Sequence, residues 1–180
     1  MHLPGPADYV GGMRFLIGVI VGVVFVLAAE LLFLTQGGMP AAARNAKPLP
    51  LEESLAGRAL RVAIGKEADR PAPIPADEKN LLAGAGIYRD ECMICHGTLG
   101  DEHRSDAALG MFPRPPRLVP PGKGVTDDPV GETYWKVKNG IRLSGMPAFE
   151  GALSDTELWQ VSLFLSKADR LPEAAADKAR

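Results

Sequence analysis

The hydrophobic pattern changes character three times along the chain. From Phe15 to Leu34 it is apolar, with one ionisable residue, Glu30, near the far end. A helix of that length rises about 30 Å, the thickness of a hydrocarbon core, so the pattern predicts a transmembrane anchor over residues 14–35. From 36 to 79 the pattern breaks up. Pro40, Pro48, Pro50, Pro71, Pro73 and Pro75 stiffen both ends. Between them Leu51 and Leu55 stand one helical turn apart, while Leu60, Val62 and Ile64 alternate as in a strand. A free Pro-rich linker has no need of these apolar residues, so docking against a neighbouring surface stays open beside a plain tether.

From residue 80 helical spacing dominates. Asp77 to Asp90 carries Leu81, Leu82, Ala85 and Tyr88 on one stripe. Gly84 and Tyr88 share a face that a crossing helix could approach closely. The expected crossing partner is Ser154 to Lys167. It opens on a capping box, Ser154-Asp155-Thr156-Glu157, and continues through Leu158, Val161, Leu163, Phe164 and Leu165. A third helix is expected over Val130 to Asn139, stopped by Gly140. Residues 97–131 read as loop, a length that a compact domain tolerates when the loop has a task such as covering a cofactor edge. The organisation predicted is a short cytoplasmic tail (1–13), the anchor (14–35), the linker (36–79), one domain (80–167) and a C-terminal tail (168–180).

The apolar segment admits a second reading, a cleaved signal peptide, for which Ala41-Ala42-Ala43 resembles a cleavage site. Signal-peptide cores run to about 7–15 residues, so the length favours a retained anchor. Arg14 precedes the segment and Arg44 and Lys47 follow it, so flanking charge leaves the orientation ambiguous. Gly18 and Gly22 form a small-xxx-small pair of the kind that packs on partner helices, though such pairs also arise by chance. Lys and Arg total 20 against 22 Asp and Glu, and only Arg14, Asp8 and Glu30 precede residue 36. The remainder is almost neutral, with no field to steer a charged partner and nothing that points to nucleic acid.

Chemistry concentrates in Cys92-Met93-Ile94-Cys95-His96, which holds both cysteines of the chain. Cys-x-x-Cys-His is the attachment pattern of a c-type haem: two thiols for two vinyl groups, and a histidine as proximal ligand. A thioredoxin-like pair would need a βαβ setting. A zinc site built from Cys92, Cys95, His96 and His103 would have an unusual gap between its histidines. A disulfide across two residues would be strained. A sixth ligand has to come from the six methionines. Met1, Met13 and Met39 lie in or near the apolar segment, and Met93 is inside the motif. Met111 follows His96 too closely for its loop to cross to the other haem face. Met146, in Ser144-Gly145-Met146-Pro147, sits in a rigid irregular loop that can present a thioether. The alternative for Met146 is core filler.

Ala83-Gly84-Ala85-Gly86-Ile87-Tyr88, Cys92 to Gly97, Gly145-Met146-Pro147-Ala148-Phe149 and the final amphipathic helix occur in this order. Over roughly residues 80–167, about half of the chain, the sequence resembles a class I (mitochondrial-type) c-type cytochrome, in a membrane-anchored bacterial form. The resemblance implies an all-α fold around one covalent haem c, with His96 and Met146 as axial ligands. It implies that the Pro116 carbonyl orients the proximal imidazole. Arg114 and Arg117, beside Pro116, are candidate partners for the haem carboxylates, and Tyr134 and Trp135 are further donors. With both axial sites filled, the expected function is one-electron transfer, not catalysis, between membrane redox partners. Covalent haem attachment of this kind implies the outer face of the cytoplasmic membrane. Two alternatives remain: a cytochrome subunit of a larger dehydrogenase or oxidase complex, and a haem enzyme or gas sensor with a labile methionine.

Overall fold

Every described element is a helix. The computed structural model describes residues 6–38, 42–43 and 46–180. Met1, Met39, Pro40, Ala41 and Arg44, all weighed above, lie outside the described residues. Helix α1 spans Pro6–Thr35, and within it Gly11–Thr35 is long and apolar enough to cross a membrane, with none of it buried by protein. It belongs to one compact unit that ends at Ala42; a second runs from Ala43 to Arg180.

The second unit begins with α2 (Glu52–Ile64), followed by a 3-10 turn at Gly65–Asp69. The alternation of Leu60, Val62 and Ile64 therefore marks a helix and not a strand. Leu60 and Ile64 lie four apart and turn inward, while Val62 falls on the opposite side. The 3-10 turn packs on α6 (Val130–Asn139), where Gly131 permits the approach. A Cβ there would stand 2.7 Å from the Ala68 carbonyl oxygen and 2.8 Å from that of Arg70.

Helix α3 (Glu78–Ile87) is capped by the Asp77 carboxylate, which accepts from the Asn80 N–H. It crosses α7 (Asp155–Ser166), whose Ser154/Glu157 capping box is complete. The crossing centres on Gly84. A Cβ there would come within 2.8 Å of the Phe164 Cβ and would overlap the Gln160 carbonyl. One turn on, Tyr88 packs against Phe164 with ring centroids 5.3 Å apart. Around this contact Leu158, Trp159, Val161 and Leu165 form the core.

The expected loop between 97 and 131 contains one short helix, α5 (Asp106–Gly110), capped by Ser105. Residues 168–180 are not a loose tail. They form α8 (Glu173–Lys178) against α3, with Ala168, Ala175 and Ala179 buried. The sequence disguises this helix because its buried contacts are alanines, too small to make an apolar stripe conspicuous.

Candidate haem site

Helix α3 does not run straight into the attachment pentapeptide. Tyr88–Cys92 forms a π turn, and α4 (Met93–His96) follows it. The wider turn rotates the chain between the core residue Tyr88 and the motif. The Tyr88 hydroxyl then donates to the Gly97 carbonyl at 2.6 Å, which ties the far end of the motif back to α3. Cys92 and Cys95 are both free thiols and both partly buried. Burial, reinforced by the neighbouring Glu91 carboxylate, pushes the Cys92 thiol up to about 12.

The His96 Nδ1 lies 2.8 Å from the Pro116 carbonyl oxygen. A carbonyl only accepts, so Nδ1 carries the proton and Nε2 keeps its lone pair. Burial also lowers the His96 pKa, against the opposing pull of that same carbonyl, so the neutral ring is favoured. The donor set therefore fits a covalently held haem: two unpaired thiols and an imidazole whose tautomer leaves one nitrogen free to bind iron.

Met146 is partly buried and packs against the core. Its N–H donates to the Ser144 hydroxyl at 3.2 Å, and its carbonyl accepts from Ile141 at 3.2 Å. These bonds hold the loop in one shape. Met111 lies nearer to this loop than chain length suggests: a Cβ on Gly145 would overlap the Met111 methyl. A second thioether thus supports the backbone next to Met146. Sequence spacing hid this contact because Met111 and Gly145 lie far apart in the chain.

The four candidate propionate donors are placed differently from one another. Arg117 is engaged by the protein's own backbone. Its terminal nitrogens donate to the carbonyls of Thr98, Asp101, Glu102 and His103. That irregular loop has carbonyls without ladder partners, and the guanidinium fork satisfies several at once. Of the three guanidinium nitrogens, Nε is buried without a partner. Tyr134 is engaged by the protein as well. Its hydroxyl donates to the Asp155 carboxylate, and its ring stacks on Trp159 at 4.0 Å and 10°. It faces α7 and the core. Trp135, the next residue round α6, lines a cleft of 1080 Å³ together with Arg114, Met111, Phe112 and the inner side of α2. Arg142, which the sequence reading missed, lines it as well. None of Cys92, Cys95, His96 and Met146 borders this cleft.

Residues 79–165 match the family model described as cytochrome C oxidase, cbb3-type, subunit III. No curated protein and no solved structure matches the chain significantly. The matched segment runs from the start of α3 to the end of α7, so it contains the attachment pentapeptide, the Met146 loop and the α3–α7 crossing. Residues 79–165 are a c-type cytochrome domain of class I, and the same chain carries an N-terminal helix suited to a membrane.

Proposed function

We propose that this cytochrome is a membrane-anchored one-electron carrier. It holds one haem through Cys92 and Cys95, with His96 and Met146 as axial ligands and with the haem domain on the outer face of the cytoplasmic membrane. The observation that carries the reading is the His96 Nδ1 to Pro116 hydrogen bond, which commits one ring nitrogen and frees the other. A bound haem c supplies an iron that exchanges single electrons. The Pro116 carbonyl fixes the ring of His96 and raises its basicity. The Met146 thioether favours the reduced state and so raises the potential. Filling both faces leaves no position for a substrate, and a rigid loop at Met146 keeps the rearrangement between states small. Arg114 and Trp135 remain donors for the haem carboxylates.

Replacement of the ligand loop tests this reading. Met146→Ala should keep the haem attached, lose the long-wavelength iron–thioether band, open the iron to carbon monoxide and lower the potential. Met111→Ala should slacken the loop behind Gly145 and keep the band. Reversed behaviour of the two variants would sink the assignment, and retention of haem by Cys92→Ser with Cys95→Ser would sink the attachment.

The description of the matched family, a subunit of a terminal oxidase, favours a second reading in which the chain is a stable subunit of a membrane redox complex. Co-purification of the tagged chain in mild detergent separates the two.

A further inference from the structure

Helix α2 has an outer face that the haem chemistry does not use. Its inner side, with Ala56, Leu60 and Ala63, borders the cleft, and Ile64 at its end is its one buried residue. On the outer side stand Leu51, Leu55 and Val62, which are 72%, 63% and 74% exposed. Their spacing of four and seven residues makes a single stripe along the helix. Arg58 lies within the stripe by the same periodicity and Arg61 flanks it, both exposed, with exposed Lys66 just beyond the helix end. The acids Glu52 and Glu53 border the cleft instead, and the Glu52 carboxylate accepts from the Leu49 N–H at 2.6 Å.

Leu51 adds a second, independent observation. It sits at φ 66°, in the left-handed region that Gly or Asn enters with less strain. The chain thus keeps a leucine where both the backbone and the exposed side chain are unfavourable. Strain retained at a surface position points to a contact outside the chain.

We propose that the outer face of α2 lies in the headgroup layer of an anionic bilayer and holds the cytochrome domain down on the membrane. This rests on α1 being a retained anchor. Residues 36–51 separate the two helices and span at most roughly 55 Å when extended, so α2 is always within reach of the lipid surface. Three apolar side chains with a few cations are too little for lasting binding by a free helix. The tether raises the effective concentration and makes weak interfacial binding sufficient. Arg58, Arg61 and Lys66 supply the preference for anionic lipid. The consequence is that electrons pass to partners whose acceptor sites lie close to the membrane plane.

The test is hydrogen–deuterium exchange on the full haem-loaded chain in nanodiscs of phosphatidylglycerol with phosphatidylcholine, and of phosphatidylcholine alone. Amides of residues 52–64 should exchange about tenfold more slowly in the anionic discs than in the same discs carrying Leu55→Asp with Val62→Asp. Protection should weaken in the neutral discs and in Arg58→Glu with Arg61→Glu. Both outer-face pairs are exposed, and an unchanged haem spectrum checks their folding. Equal exchange in wild type and the Leu55/Val62 variant overturns the proposal. Protection that needs two chains per disc assigns the face to a second copy, and protection that needs a co-purifying protein assigns it to that protein; either overturns it. Loss of the chain from the discs after carbonate washing overturns the anchor itself, a failure distinct from the others.

Discussion

The Tyr88 hydroxyl bridges the core and the haem motif through one bond to the Gly97 carbonyl. Burial raises its pKa above the ordinary 10.0, because a phenolate would be desolvated there. The stability this contributes is present below the unfolded value, near 10, and is lost as pH rises through the folded one. Tyr88→Phe should cost about 1–2 kcal/mol at neutral pH, since it removes a bond and leaves a carbonyl unpaired. Near pH 11 the gap between wild type and variant should narrow, because the variant has no phenol to ionise on unfolding. Denaturant unfolding at the two pH values checks this, and a constant gap would refute it. At this scale the sequence was legible where chemistry names its own residues. Cys92, Cys95 and His96 are found from spacing alone. The protein partners of Arg117 and Tyr134 were not legible, because only the fold supplies them: loop carbonyls for one, Asp155 for the other.

Among the elements, the α3–α7 crossing is decided by Gly84. An alanine gains about 1 kcal/mol of helix propensity in a helix interior. At Gly84 its Cβ would overlap the Gln160 carbonyl and press on Phe164, and neither backbone nor Cβ can swing aside. Overpacking of that kind costs about 1–3 kcal/mol and more against backbone, so the clash wins. Gly84→Ala should lower stability by about 2 kcal/mol, as thermal unfolding would read, while the ligand-field spectrum stays the same. Equal or higher stability would mean that the helices can separate freely. The crossing was readable because Gly84, Tyr88 and the Ser154 capping box are local signals. Helix α2 was not, because an inward i, i+4 pair with an apolar residue between them also looks like a strand. The π turn at Tyr88–Cys92 leaves no sequence trace, since it alters hydrogen-bond spacing and not side-chain type.

For the whole molecule, the boundary of the cytochrome domain lies earlier than the family match alone suggests. The match begins at residue 79, but the unit that contains it begins at Ala43. Ile64 is 3% exposed, the 3-10 turn at Gly65–Asp69 fills the space that Gly131 leaves, and the Arg70 guanidinium lies 5.3 Å from the Tyr134 ring centre and 5.5 Å from that of Trp159. These contacts cover one side of the Tyr134–Trp159 stack. A chain exported from Ala43 onward keeps them all, and one starting at Pro71 loses them. Both should attach haem and show the same axial-ligand spectrum, since Cys92, Cys95, His96 and Met146 all lie beyond residue 71. Their stabilities should differ. Loss of Ile64 burial costs about 1.5–3 kcal/mol. Loss of the Arg70 contact costs about 0.5–1 kcal/mol more. The shorter chain should therefore unfold at lower denaturant concentration by about 2–4 kcal/mol, and its Trp159 should become more accessible to quenchers. Equal midpoints for the two would show that residues 43–70 are a tether, and the domain would then begin at α3.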